Sequence, residues 1–299
     1  AGFRKDRSTS DQLFLMMDFI RNRRPAKTYC CFLDVQKAYD RVWRDGLWYK
    51  LRQYGVKGKM WRVLRSVYES VESSVLVNDQ RTRFFRVDVG LRQGCLMSPI
   101  LFALYINGLA EEIKKENIGV RIRTRREERC GILMFADDIV LIGEDRRSLE
   151  KLMEITYQYS RLWRFSFNYD KCAVVVFDNK KMPVPKYGKC EVDCSCGFHW
   201  KLGERLIKQE RSYKYLGMEL DTQLTQAEFR DRIYLKARAN ISKVWSMGMS
   251  NGSLSVKASI NLYEALVRSV VEYGAEVWKE INWEDGERIQ REMGRRILR

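Results

Sequence analysis

An α+β fold is predicted for this 299-residue chain, and three features predict it. An apolar run from Gly131 to Gly143 carries two adjacent acids, Asp137 and Asp138, at its centre. Ionised acids are seldom buried without a partner, so the run reads as two strands joined by a tight turn with the acids at its tip. A second β-prone stretch, Thr28 to Asp34, also ends on an acid. From Thr225 onward the pattern is helical and basic. The composition is globular, with 45% apolar and 31% charged residues and 4 Pro, and the length suffices for two or three subdomains.

The remaining elements follow in chain order. Residues 11–21 place apolar side chains at helical spacing, with Ser8 or Ser10 as the cap. Residues 28–34 form a strand, and a helix is expected from Val35 through Trp43. Residues 47–71 keep helical spacing, and residues 74–89 read as a hairpin turning near Asn78-Asp79. Ser98-Pro99 opens a helix, with Ser at the cap, Pro at the first helical position and an apolar face through Leu109 and Ile113. Residues 147–163 give an amphipathic helix and 173–177 a strand. Residues 178–203, polar and holding Pro183 and Pro185, are expected to form a loop and hairpin. Gly248 and Asn251-Gly252-Ser253 interrupt the C-terminal helices.

The balance of 55 Lys+Arg against 39 Asp+Glu gives a net charge of +16, which points to a polyanionic partner and so to nucleic acid. A membrane partner is not expected. No stretch reaches the ~18–20 apolar residues of a span, and neither a basic amphipathic anchor nor a lipid motif is visible. The first residues are charged, with no secretory signal, and the chain opens on Ala1, so a piece of a longer intracellular protein is expected. Cys30, Cys31, Cys95, Cys130 and Cys172 lie in or beside apolar segments, where a free thiol acts as a small hydrophobe. Cys190, Cys194, Cys196 and His199 are spaced C-x3-C-x-C-x2-H. That spacing matches no zinc pattern, so a reduced loop is expected there rather than zinc.

If the Asp34 strand lies beside the Asp137-Asp138 hairpin, three carboxylates converge. Oxygen ligands suit Mg²⁺ completed by substrate phosphates. Two such ions ~3.5–4 Å apart activate a hydroxyl and stabilise a leaving pyrophosphate. Adjacent strand positions face opposite ways, so Asp34 and Asp137 are the expected main ligands and Asp138 a weaker or outer one. An Asp-Asp dipeptide alone is equally an ordinary turn. Asp34 in its own strand-end context tips the reading toward a metal.

Five segments, in order, resemble the reverse transcriptase domain of a non-LTR (LINE-type) retrotransposon. Gly2–Leu13 resembles the fingers motif, Leu33–Val42 the first palm motif and Gly90–Pro99 the second. Phe135-Ala136-Asp137-Asp138 resembles the metal-binding box, and Tyr213–Gly217 the segment that grips the primer end. The resemblance implies a right-hand polymerase with an antiparallel palm sheet, fingers and a helical thumb. Its divisions are partial fingers (1–27), palm (28–54), a fingers insertion (55–85), palm again with the loop 178–203 (86–220), and thumb with the start of a connection (221–299). It implies catalytic and metal-binding roles for Asp34, Asp137 and Asp138, with two Mg²⁺ for which Mn²⁺ can substitute.

Tyr39 is implied to be a steric gate against a 2′-OH; the lesser alternative is a core aromatic on the helix after the strand. Gly94 permits close backbone approach and Gln93 can hydrogen-bond the nascent base pair or the template, or else the two form a simple loop before a capped helix. Lys171 is implied near the triphosphate, or is one more exposed lysine. Arg4 and Arg7 are implied at template or triphosphate, although Arg7 equally suits pairing with Asp11. Tyr215, Leu216 and Gly217 are implied at the primer. Asp40 reads as structural, paired with a nearby Arg.

The implied activity is RNA-directed DNA synthesis from dNTPs, with an RNA template, a DNA primer and target DNA, by target-primed copying in the nucleus after cytoplasmic ribonucleoprotein assembly. The endonuclease domain is expected elsewhere in the full-length protein. The rival readings are an RNA-copying RNA polymerase, disfavoured by Tyr39, an inactive or domesticated nucleic-acid-binding domain, and an intron maturase.

Overall fold

Thr28–Asp34 is the axis of the molecule. Its β-branched, aromatic and thiol side chains suit a strand covered on both faces. The computed structural model describes residues 2–122, 128–178, 199–249, 252–278 and 283–298. The axial strand pairs antiparallel with Ala173–Phe177 on one side and with Asp138–Gly143 on the other. Ile132–Phe135 then pairs with Asp138–Gly143 and closes the hairpin expected from the sequence. On the far side Arg205–Gln209 joins Ala173–Phe177, and Trp200–Leu202 completes a six-stranded sheet. The expected sheet is antiparallel; the Ala173–Phe177 and Arg205–Gln209 pair is parallel instead. Among the described residues the sheet is therefore antiparallel apart from that one pairing. Most of the 178–203 segment, with Cys190, Cys194 and Cys196, lies outside the described residues.

Strand alternation divides the core in two. Cys31, Leu33, Ile139, Leu141, Val174 and Val176 pack with the helices Arg44–Gln53, Ser98–Ile106 and Arg146–Leu162. Cys30, Phe32, Val140, Ile142, Val175 and Phe177 pack on the opposite face. That face is covered by the helix Thr9–Arg23, the hairpin Ser212–Tyr215/Met218–Asp221 and the start of the helix Ala227–Val244. A smaller third core joins Ala237, Ile241 and Val244 to Val267, Ile289 and Met293 among the C-terminal helices. Those helices return to the first one. Arg21 donates to the Val277 carbonyl at 3.1 Å, and the Tyr273 hydroxyl donates to the Leu216 carbonyl and is hydrogen-bonded to the Thr9 hydroxyl at 3.3 Å.

Several expected boundaries shift for identifiable reasons. Ser8 caps the first helix through a reciprocal capping box with Asp11. The expected helix from Val35 to Trp43 does not form. Val35 bridges to Phe167 and the Gln36 amide bonds the Ser166 carbonyl. The carbonyls of Tyr39 and Val42 accept instead from Leu91 and Gly90. Helix begins only at Arg44, and the 47–71 pattern splits into Arg44–Gln53 and Gly58–Glu69. Ser98 does not cap its helix: its hydroxyl donates to the Arg92 carbonyl at 2.6 Å, and Met97 occupies the cap position. The apolar face continues through Leu109 and Ile113 as expected, but in a second helix, Gly108–Glu116. Asn78 and Asp79 turn a short hairpin with φ of 48° and 62°, the primed turn that fits strand twist.

Lys50, only 5% exposed, joins three of these helical segments. Its ammonium donates to the Tyr105 carbonyl and the Tyr159 hydroxyl. It also sits 3.7 Å from the Trp163 ring centroid. Burial pushes the group down from 10.5 to about 7, with Glu111 opposing. The unfolded chain keeps that proton up to the ordinary lysine range, so between those two values folding releases it and stability rises with pH. The melting temperature of wild type minus that of Lys50→Met is therefore expected to climb between pH 7 and pH 10 and to be flat below pH 6.5. Parallel thermal melts across that range check it.

Candidate active site

The pairing register decides the site. Asp34 stands directly opposite Asp138, so their Cα atoms are about 4.5–5.5 Å apart, and both lie on the face that carries Phe32 and Val140. Asp137 occupies the two-residue loop after Ala136, whose φ of 54° is the left-handed value such tight hairpins need. Asp137 acts electrostatically on Tyr39, on the helical side of the sheet. Burial, then Asp137, then Asp34, push the Asp138 carboxyl up to about 6. The acid expected to be the outer one is thus the direct cross-strand partner of Asp34. Among the described residues no group of three or more His, Cys, Asp or Glu side chains is placed so that it could hold a metal ion. The trio is an open, acid-rich end of a sheet.

Lys171 approaches this end, its ammonium 3.5 Å from an Asp34 carboxylate oxygen. The backbone sets that position. Asn168 donates to the Asp34 carbonyl at 2.9 Å, and Lys171 donates to the Asn168 carbonyl at 3.0 Å. Tyr213 locks the same turn from the other face. Its hydroxyl donates to the Lys171 carbonyl at 3.0 Å while its ring stacks on Phe32 at 4.3 Å between centroids. Tyr213 carries no chemistry of its own in the motif, and its alternation with Tyr215 along a strand is the signal that marks it.

Tyr39, Gln93 and Gly94 line one open cavity of about 760 Å³ together with Phe3, Leu96 and Pro99. The Tyr39 ring leans on Phe102, 5.2 Å between centroids, so it packs on the core and borders the cavity at once. Asp40, expected to pair with an arginine, instead accepts from the Gln93 amide at 2.8 Å. Gly94 has a φ of 81°. Arg4 and Arg7 are exposed, and Asp11, the alternative partner of Arg7, accepts instead from the Ser8 amide at 2.8 Å. Gly2 lies on the acidic turn: a Cβ there would stand 2.6 Å from the Ala136 nitrogen. That close approach fixes where the first loop meets Asp137.

The expected primer-gripping residues form the turn of a hairpin, with Leu216 and Gly217 at φ of 45° and 85°. The Tyr215 ring is 1% exposed and tilts against Phe32, so it anchors the hairpin; a primer contact through that ring would need the hairpin to leave the sheet. The exposed part is the turn backbone, held by Arg232 donating to the Gly217 carbonyl at 3.0 Å. His199, the described member of the cysteine–histidine cluster, accepts from Arg146 through its carbonyl at 2.6 Å. No helix among the described residues is long and apolar enough to cross a membrane.

Comparison with known proteins gives this geometry a context. A family model described as reverse transcriptase (RNA-dependent DNA polymerase) matches residues 1–220. The chain is 25% identical over 285 residues to the RNA-directed DNA polymerase from mobile element jockey of Drosophila melanogaster, covering 93% of this chain and 29% of that protein. It is 29% identical over 191 residues to the Pol polyprotein from the type-2 retrotransposable element R2DM of the same species, covering 64% of this chain and 17% of that protein. The chain thus spans only 29% of the length of the jockey protein. Among solved structures, a telomerase from Candida albicans in complex with a fragment of telomeric RNA superposes with a TM-score of 0.50. That match has 11% identity and covers 100% of this chain and 47% of that one, a likeness of fold alone. Polymerases of the matched family generally use divalent metal ions, and the family implies an RNA template and nucleotide substrates. The mixed sheet-and-helix fold, the match over residues 1–220 and the mobile-element relatives agree: this chain belongs to the reverse transcriptase family, RNA-dependent DNA polymerases, alongside those of non-LTR retrotransposons.

Proposed function

We propose that this chain performs RNA-directed DNA synthesis, adding dNTPs to a DNA primer on an RNA template. The observation that carries the proposal is the register of Asp34 against Asp138 with Asp137 on the adjoining turn. In the reaction the primer 3′-oxygen bonds the α-phosphorus and the bond to pyrophosphate breaks, in line. Asp34, Asp137 and Asp138 would hold the divalent cations. The fit rests on the donor set, all hard oxygen, and on the burial and, after it, the repulsion from Asp137 and Asp34 that raise Asp138 and that a cation would offset. Bound there, Mg²⁺, or Mn²⁺ in its place, supplies Lewis-acid activation of the hydroxyl and neutralises the departing charge.

The chain's own residues do the rest. Lys171 sits where its ammonium can meet the leaving pyrophosphate and give it a proton. Tyr39 presents its ring to the nucleotide cavity and excludes a 2′-OH. Gln93 braces the opposite wall through Asp40. Arg4 and Arg7, exposed on the first loop, suit template or triphosphate. The Leu216–Gly217 backbone suits the primer terminus. The relatives come from mobile elements, which supports target-primed copying at a nicked DNA site in the nucleus, with the nicking activity on another part of the full-length protein.

Primer extension on poly(rA)/oligo(dT) with Mg²⁺ tests the proposal. Asp137→Asn is expected to lose activity by roughly 100-fold or more, about 2.7 kcal/mol of barrier, while duplex binding is kept. Equal background from wild type and variant, with binding intact, would leave a domain that binds nucleic acid only. A separate outcome concerns stability. Asp138→Asn removes one of three repelling charges and is expected to melt about 2–4 °C higher than wild type without metal. Wild type should melt higher on adding Mg²⁺, and the variant should respond less, by differential scanning fluorimetry.

A further inference from the structure

We propose that Arg44 is a positioning residue that fixes the separation of Tyr39 from Gln93 and so sets nucleotide selection; this rests on the polymerase reading above. Arg44 is 8% exposed, and its guanidinium makes no carboxylate ion pair among the described residues. The neighbouring acid, Asp88, is bound to Arg86 at 2.6 Å. Arg44 spends its donors on main-chain carbonyls instead. It donates to Tyr68 at 3.0 Å, Val87 at 2.7 Å, Val89 at 3.2 Å and Gly90 at 2.9 Å. Three of those four carbonyls belong to the run that leads into Leu91–Gly94, the wall of the nucleotide cavity.

That wall is tied to the Tyr39 segment at the backbone. Gly90 donates to the Val42 carbonyl at 2.9 Å and Leu91 to the Tyr39 carbonyl at 2.7 Å. Gly90 has a φ of 82°, and a Cβ there would stand 2.5 Å from the Asp40 oxygen, so the two chains touch with no room for a side chain. Gln93 adds the side-chain bond to Asp40 at 2.8 Å. Tyr39 and Gln93 therefore sit on two backbone segments pressed together, and the Arg44 fork holds the second against the first. A planar fork with five donors reaches four diverging carbonyls; an ammonium, a compact point charge with three donors, cannot do so in the same place. Arg44 touches no substrate and acts through the position of those two segments.

Steady-state incorporation of dNTP and of the matching rNTP by Arg44→Lys tests this. The expected result is a dNTP KM raised roughly tenfold with kcat within about threefold, and a dNTP-over-rNTP preference reduced roughly tenfold. Hydrogen exchange at the Gly90 and Leu91 amides should rise while the central strand keeps its protection. Gly90→Ala, which presses on the same contact from the other side, should lower the preference in the same sense, and it serves if Arg44→Lys does not fold. An unchanged preference in both variants, or exchange that rises uniformly across the chain, overturns the proposal. Wild type that extends no primer would instead refute the polymerase reading. In that case local exchange at Gly90 and Leu91 still decides whether Arg44 holds the wall.

Discussion

The antiparallel register of the central strand is the constraint on which the site depends. A shift of one residue would turn Asp34 into the helical core and Leu33 toward the acids. Two sets of neighbours prevent it. Leu33 and Ile139 fill one core while Phe32 and Val140 fill the other, so neither face tolerates the exchange. The acids thus owe their meeting to apolar residues that have no part in the chemistry. Carboxylates that repel one another are held together because the strands bearing them are buried on both sides.

Around that end, positioning is done by backbone more than by side chains. Lys171 is fixed through Asn168 to the Asp34 carbonyl and through Tyr213 to Phe32. Gly2 rests on the Ala136 turn. Main-chain contacts of this kind place a reactive group within a narrow range without adding another charge to an already acidic site, which suits electrostatic preorganisation.

What the sequence revealed and what it hid follow one division. Hydrophobic runs ending in acids announced both strands of the site, and Asn78-Asp79 announced its turn, because those signals are local. The helix expected over Val35–Trp43 had the right apolar spacing, yet its carbonyls were claimed by Gly90 and Leu91 from far along the chain. Ser98 carried a good capping signal, but its hydroxyl turns back to the carbonyl of Arg92, six residues earlier, and Met97 takes the cap position. Asp40 was given the wrong class of partner, since an amide from a distant loop leaves no trace in charge patterning. Tyr215 was expected at the primer by resemblance alone; alternation along the strand buries its ring. Long-range backbone capture is what local reading cannot see.

The bonds from Tyr273 to Thr9 and from Arg21 to Val277 join sequence positions 264 and 256 residues apart. The helix Thr9–Arg23 therefore finds part of its packing only after more than 250 further residues have been made. During synthesis, domains fold from the N-terminal end as they emerge. Here one side of Thr9–Arg23 stays uncovered until Tyr273 and Val277 have left the ribosome, so that helix completes its packing late.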